Sequence, residues 1–143
     1  MNPPPRQLFC DTSFLYACLE EEDRHYEDAG RLLEFCKANR VEFLTTWEII
    51  IETVALLRSR SGYRLAVDFL DALLPKIRLV EHDPHLREAA LEVFRRMSRG
   101  KALSLCNALS YVVVTQLLEN IPCLSFDSDF KRLGLTVLAE PLD

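Results

Sequence analysis

The sequence predicts an α/β domain in which a central sheet of about five mainly parallel strands is flanked by helices, giving three layers. Short apolar runs of strand type alternate along the chain with longer segments whose apolar residues recur at helical spacing. The chain has 143 residues, which suits one domain with its own core. A single domain over residues 1–143 is therefore expected.

Strands and helices follow one another in alternation. The first strand, Gln7–Cys10, is expected to lead directly into a short helix that ends near Leu19. The other predicted strands are Glu42–Thr45, Ile77–Glu81, Pro122–Ser125 and Thr136–Leu138. The other predicted helices are Tyr26 to about Asn39, Trp47–Arg60, a segment after Gly62 that ends near Leu74 and Pro75, Pro84–Met97, and Leu105–Leu117. Pro84–Met97 shows the clearest helical periodicity.

Composition and charge exclude some classes of protein. The net charge of −5 argues against a generic nucleic-acid coat protein, whose surface is basic. It leaves room for an enzyme that holds metal through local carboxylates. No apolar run approaches the roughly 20 residues that span a bilayer, and the N-terminus lacks the apolar region of a secretory signal. No membrane association is therefore expected.

The cysteines and histidines show no metal-ligand pattern. The five cysteines are odd in number and lack CxxC spacing, which predicts buried thiols in a reducing compartment and a cytoplasmic location. The three histidines are scattered, and exposed positions at helix ends are expected for them.

Acidic and amide side chains follow strands or begin helices at several separate places. Asp11 ends the first strand, Asp127 and Asp129 follow the fourth, Glu52 lies in the helix after the second, and Asn107 lies in the first turn of the helix opened by Ser104. Ligands of open α/β sheets bind outside the carboxyl ends of the strands. These side chains are therefore expected to converge on one edge of the sheet.

Each of these residues also has a purely structural interpretation. Asp11 suits a helix N-cap, and Asp127 or Asp129 suits an Asx-turn. Thr45-x-x-Glu48 fits a capping box, which makes Glu48 a structural residue. Glu52 lies in a largely apolar stretch, where a carboxylate without a partner is costly, and this favours a functional role for it.

Taken together, four segments resemble the motifs of PIN-domain ribonucleases in order and spacing. They are LFCDTSFLYACL, LTTWEIIIETVALL, ALSLCNALSYVVV and LSFDSDFKRLGLTVL, and they span about residues 8 to 138. By pattern the chain is most similar to VapC-like toxins of toxin–antitoxin pairs. The third motif departs from the family because Asn107 occupies a position where the family carries aspartate. The sequence leaves open whether this residue is natural or was introduced to inactivate a toxic protein.

The resemblance implies a metal-dependent endoribonuclease that cleaves single-stranded RNA, weakened or inactivated by Asn107. The implied catalytic residues are Asp11, Glu52, Asn107 and Asp127. Asp129 joins them as a metal ligand, and Thr12 or Ser13 adds a hydroxyl contact. Ligands with oxygen donors alone favour Mg²⁺ or Mn²⁺ over zinc. The family also implies a homodimer and a cognate antitoxin protein.

Three groups of cations are candidates for contact with RNA phosphates. The group closest to the third motif is Arg95, Arg96, Arg99 and Lys101. The other two are Arg58, Arg60 and Arg64 after the second motif, and Lys131 and Arg132 after the fourth. Cations at helix ends also interact favourably with the macrodipole, and this structural interpretation is stronger for the group after the second motif.

Two alternatives from other classes remain open. A non-catalytic PIN-like module that binds RNA or protein is supported by Asn107. A receiver-like signalling domain has paired acids after its first strand and a lysine after its last. Asp11 stands alone after LFC and no such lysine is evident, so this alternative is remote.

Overall fold

The computed structural model describes residues 3–139, and the remaining ends of the predicted domain lie outside the described residues. Its sheet has five parallel strands in the order β3-β2-β1-β4-β5. They are β1 Gln7–Cys10, β2 Glu42–Thr45, β3 Ile77–Leu79, β4 Cys123–Leu124 and β5 Val137–Leu138. The predicted α/β class, with a parallel five-stranded sheet and flanking helices, is confirmed.

Seven α-helices flank this sheet among the described residues. They are α1 Thr12–Leu19, α2 Tyr26–Ala38, α3 Trp47–Arg60, α4 Tyr63–Asp68, α5 Pro84–Met97, α6 Leu105–Gln116 and α7 Ser128–Arg132. A π-helical turn, Phe69–Leu73, and a 3₁₀ turn, Leu74–Lys76, follow α4. No helix within residues 3–139 is long and apolar enough to cross a membrane.

The core lies on both faces of the sheet. Leu8, Phe9 and Cys10 of the central strand β1 have no exposed surface, although successive side chains point to opposite faces. Helices therefore cover both faces at this strand, and this is why β1 is a continuous apolar run rather than an alternating one.

The chain reverses its direction of travel across the sheet at β1. Strands β2 and β3 lie on one side of β1, and β4 and β5 lie on the other. The crevice outside the carboxyl ends of β1 and β4 is therefore the topological switch point at which open α/β sheets bind ligands.

Several local predictions are wrong. The N-cap of α3 is Thr46, whose hydroxyl accepts from the Ile49 amide, so the predicted capping box on Thr45 is absent. Thr45 instead donates to the Cys10 carbonyl and joins β2 to β1. The segment after Gly62 is not one regular helix, and α7 was not predicted.

The side chain of His82 is only 7% exposed, contrary to the exposed position expected of the histidines. The five cysteines are free thiols, as the spacing predicted; three are buried and two half-buried.

Candidate functional site

Asp11 lies where β1 passes into α1, and it is both a helix N-cap and a buried acid. Its Oδ2 accepts from the Ser13 amide at 3.3 Å, which caps α1. The same oxygen accepts from the Ser13 hydroxyl at 2.7 Å and from the Ser125 hydroxyl at 2.9 Å. Oδ1 accepts none of these hydrogen bonds and stays available to a ligand, so Asp11 can cap α1 and also have a functional role.

Ser13 and Ser125 connect the ends of β1 and β4. The Ser13 hydroxyl accepts from the Phe126 amide at 2.9 Å, and the Ser125 hydroxyl accepts from the Asp127 amide at 3.0 Å. Each hydroxyl proton is directed to Asp11, so each serine donates to the carboxylate and accepts from the β4–α7 segment. This network fixes the position of Asp11 relative to Asp127.

Burial raises the pKa of Asp11 to about 6. The main cause is loss of solvation, because the residue is only 3% exposed. Hydrogen bonds from Ser13 and Ser125 act in the opposite direction, and the nearby charge of Asp127 raises the pKa further. The ionised carboxylate is therefore held at a cost that a bound cation would offset.

Asn107 lies in the first turn of α6, whose N-cap Ser104 accepts from the Asn107 amide at 3.0 Å. The Nδ2 of Asn107 donates to Asp127 Oδ2 at 3.0 Å and to Asp129 Oδ2 at 3.5 Å. An aspartate at this position would present only oxygens. The amide therefore links two carboxylates that would otherwise repel each other.

Glu52 lies on α3, and α3 is joined to α1 by a buried hydrogen bond of 3.4 Å from the Thr53 hydroxyl to the Thr12 hydroxyl. Glu52 lines one cavity of 270 Å³ together with the acids and the amide described above. The predicted site residues on this cavity are Asp11, Thr12, Ser13, Glu52, Asn107, Asp127 and Asp129. The predicted convergence at one edge of the sheet is therefore observed.

The donor set of this cavity suits a hard cation, although the present spacing does not enclose one. Within residues 3–139, no three histidine, cysteine or acidic side chains are placed to hold a metal ion as they stand. Of the acids on this cavity, only Asp129 has a cationic partner among the described residues, Arg132 at 3.2 Å. A buried, uncompensated carboxylate beside further carboxylates is the arrangement that a divalent cation stabilises.

Cys106 lies beside Glu52 but does not suit a metal ligand. Burial raises the pKa of its thiol to about 12, and the Glu52 charge contributes to this rise. A protonated thiol is a poor ligand, since metals bind the thiolate. The candidate ligands on this cavity are therefore its carboxylate and amide oxygens.

The cations near the third motif divide into two groups. Arg96 and Lys101, with Arg132, line a cavity of 300 Å³ that shares Asp129 with the acidic cavity. Arg95 and Arg99 are exposed and do not line it. Only Arg96 and Lys101 of the predicted group therefore adjoin the acids.

The cations after the second motif do not line the acidic cavity. The 14-residue helix α3 starts at the carboxyl edge of the sheet and extends about 21 Å at 1.5 Å per residue. Arg58 and Arg60 are in its last turn, beyond Glu52 and Leu56, which are the residues of α3 that line the cavity. A role of these residues in helix-end electrostatics is consistent with that position.

Sequence reasoning missed Ser125 as a site residue. The serine directly follows β4 in the stretch LSFDSDF, and the available signal was a hydroxyl placed immediately after a buried strand. Its role depends on a hydrogen bond across 114 residues, which local pattern does not reveal.

Comparison with known proteins agrees with this architecture. The model of the PIN domain family matches residues 8–135, and the chain belongs to that family. The structure of VapC20 from Mycobacterium tuberculosis, described as a Sarcin-Ricin loop cleaving toxin, superposes with a TM-score of 0.75 and 26% identity. The match covers 90% of this chain and 96% of that chain. The predicted resemblance to VapC-like toxins is thus confirmed.

A second solved structure shows the fold alone. VapBC2 from Rickettsia felis, bound to a DNA fragment from their promoter, superposes with a TM-score of 0.69 at 13% identity. That match covers 92% of this chain and 97% of the other. No curated protein sequence matches the chain.

Proposed function

We propose that the protein is an endoribonuclease that cleaves single-stranded RNA with Mg²⁺ or Mn²⁺, and that it is the toxin of a toxin–antitoxin pair acting in the cytoplasm. The observation that carries the proposal is the 270 Å³ cavity in which carboxylates from three separate segments meet at the switch point of the sheet. Membership of the PIN domain family and likeness to an RNA-cleaving toxin support it.

The residues that would hold the cation are Asp11, Glu52 and Asp127, together with Asn107 and Asp129. When bound, the metal would supply a water of lowered pKa and neutralise charge on the phosphate. Ser13 and Ser125 would fix Asp11 by hydrogen bonds. Because the Ser13 hydroxyl already donates and accepts within the protein, we assign it support of Asp11 rather than metal contact. Thr12 likewise bonds to Thr53.

Asn107 would weaken the site in two ways. It supplies no negative charge, and its amide protons occupy lone pairs of Asp127 and Asp129 that a second cation would need. We therefore propose one well-held metal and a weak or empty second site.

The substrate chain would be guided by cations next to the acids. Arg96 and Lys101 lie on the cavity that shares Asp129 with the acidic cavity, so a phosphate bound there would adjoin the scissile one. Exposed Arg95 and Arg99 would contribute long-range attraction. Positive charge would therefore adjoin the acids although the net charge of the whole chain is −5.

Protein partners are part of the proposal. A cognate antitoxin is supported by the complex of the Rickettsia felis pair, whose chain shares this fold. We also propose a homodimer, as the family resemblance implies.

A non-catalytic RNA- or protein-binding module is the second candidate. The observation that favours it is the Asn107 amide, which satisfies both acids without a metal. Cleavage of labelled single-stranded RNA distinguishes the two, measured with Mg²⁺, with Mn²⁺ and with chelator. Chelator-sensitive cleavage that is lost in Asp11→Ala supports the nuclease. If both this chain and Asn107→Asp bind the RNA without metal-dependent cleavage, the nuclease proposal is rejected.

A further inference from the structure

We propose that a second cavity on the carboxyl edge of the sheet, lined by Trp47, Glu48, His82 and Arg87, binds one nucleobase of the RNA and determines base preference. This proposal rests on the proposed function, because it concerns the same substrate. The cavity has a volume of 190 Å³, which suits a single heterocyclic base and is too small for a folded protein segment.

The cavity is built at the ends of two neighbouring strands. Trp47 and Glu48 form the first turn of α3, directly after β2 and the Thr46 cap. His82 follows β3, which pairs with β2. The two loops therefore leave the same edge of the sheet that carries the acidic cavity.

Trp47 is the only tryptophan of the chain, and it is 55% exposed. Large aromatic side chains are more often buried on average, so an indole on a cavity rim suggests a surface for contact with a ligand. Unpaired RNA bases stack on aromatic side chains, and each such stack contributes substantially to binding.

His82 provides a polar group that lacks a partner. Its side chain is 7% exposed, and Nε2 lies 3.2 Å from Glu48 Oε1. Because a carboxylate accepts, Nε2 carries a proton in this pair, and in the neutral ring Nδ1 is then an acceptor. Nδ1 has no hydrogen-bond partner among the described residues. This nitrogen is buried in the present structure, so a bound base would first have to uncover it, and an amino or ring N–H group on the base edge would then be the complementary donor.

Arg87 lines the same cavity and forms no ion pair within residues 3–139. An aromatic face, an unpartnered ring nitrogen and a free guanidinium together match the base and the phosphate of one nucleotide. This combination favours a nucleotide over an apolar peptide segment.

A continuous path connects this cavity to the acids. Glu48 and Arg87 also line a groove of 520 Å³, which reaches Glu52, and Glu52 lines the acidic cavity. Trp47 and Glu52 are five residues apart on α3, or about 7.5 Å along the helix axis. The recognised base would therefore be a near neighbour of the scissile phosphate in the RNA.

The test uses Trp47 as its own reporter. Intrinsic emission is followed during titration with a short single-stranded RNA, and with an abasic oligonucleotide of the same length. In both titrations Ca²⁺ is used in place of Mg²⁺, since Ca²⁺ has the same preference for oxygen ligands. Anisotropy of a labelled copy reports total binding. The RNA should quench Trp47, whereas the abasic chain should not.

Variants separate stacking from a general loss of structure. Trp47→Ala should weaken RNA binding by about 5- to 150-fold, or raise the KM for cleavage by the same factor with little change in kcat. Trp47→Phe should retain most of the affinity. Tyr63→Ala is the matched control, since Tyr63 is 69% exposed and is the first residue of α4, which follows the far end of α3. His82→Gln keeps a donor toward Glu48 but removes Nδ1, so it should reduce discrimination among the four homopolymers.

The failures are distinguishable. Two results would overturn the base subsite and leave the nuclease intact. One is constant Trp47 emission while the RNA binds or is cleaved. The other is Trp47→Ala behaving as the parent. Absence of both RNA binding and metal-dependent cleavage rejects the proposed function itself. If the wavelength of the Trp47 emission maximum shifts with protein concentration alone, a second copy covers Trp47, and this also overturns the subsite.

Discussion

The Ser125 hydroxyl donates a hydrogen bond of 2.9 Å to Asp11 across 114 residues of sequence, and this bond connects the two strands that flank the switch point. Both residues are nearly inaccessible, with exposed fractions of 1% and 3%. The Asp127 amide donates to the same hydroxyl. Ser125 therefore determines how Asp11 and Asp127 face each other.

Ser125→Ala should destabilise the protein by about 1–3 kcal/mol, because it leaves a buried carboxylate with one donor fewer and the Asp127 amide without its acceptor. Metal affinity should fall as well. Urea unfolding and Mn²⁺ titration measure the two effects. The control is Ser110→Ala: Ser110 is also buried, but its hydroxyl has no partner among the described residues, so its loss should cost little. Equal effects of the two variants would contradict the role of the bond.

The stability of the metal-free protein should depend on pH through the ionisation of Asp11. Its pKa is raised from 3.8 to about 6, so between these values the folded state binds a proton that the unfolded state has released. The contribution of Asp11 to stability is therefore present below about pH 4 and is lost as pH rises through about 6. The loss is on the order of 3 kcal/mol at most, at about 1.4 kcal/mol per pKa unit.

Asp11→Asn cannot ionise and so avoids this loss. In chelator the variant should therefore exceed the parent in stability at pH 8 by about 1–3 kcal/mol, and the two should converge near pH 4. Urea unfolding across pH checks this, with Asp71→Asn at an exposed site as the control. Metal should stabilise only the parent, and its affinity should fall below about pH 6 because protons compete for the carboxylate. A parent and variant with parallel pH profiles would show that Asp11 is not perturbed.

Much of the fold follows from local pattern, whereas the site depends on long-range contacts. The bounds of β1, β2, α3 and α5 are as predicted, because buried parallel strands are continuous apolar runs and Pro84–Met97 has strong helical periodicity. Asp11 was predictable from its place after β1. The short helix α7 was not, because its five residues carry too little periodicity to detect.

Capping and burial were the least predictable features. Thr45 and Thr46 are adjacent and chemically identical, and only the pairing of β2 with β1 determines which of them caps α3. The burial of His82 depends on the loop after β3 packing against α3 through Glu48, a contact between residues 34 apart in sequence.

Replacing Arg96 and Lys101 together with alanine should weaken RNA binding for all sequences alike. Both side chains line the cavity that adjoins Asp129, and phosphate contacts do not depend on base identity. If each contacts one phosphate, the slope of log K against log salt should fall by about 1.4 for single-stranded RNA. Anisotropy at several salt concentrations measures this. The control is Arg58→Ala with Arg60→Ala, which removes the same charge from the far end of α3. A slope equal to that of the parent would mean that the first pair is only a solvated surface.

Asn107→Asp should raise Mg²⁺- or Mn²⁺-dependent cleavage of single-stranded RNA above that of the chain as it stands. The exchange is nearly isosteric, and position 107 lies in the first turn of α6, where the helix dipole favours an anion. The site gains one negative charge and loses the amide protons that occupy Asp127 and Asp129. Metal affinity should increase by about 10-fold or more.

The same change should lower stability when metal is removed, because three carboxylates then face one another without a donor between them. The cost in chelator is about 1–3 kcal/mol, and added Mn²⁺ should restore stability in the variant more than in the parent. The measurements are cleavage of labelled RNA by both forms with and without chelator, Mn²⁺ titration, and urea unfolding in each condition. The added carboxylate should act through metal, so Asn107→Ala, which lacks both the charge and the amide, should not gain activity. Equal, chelator-insensitive background from all three chains would show that position 107 is outside any catalytic site, and the binding-module alternative would then stand.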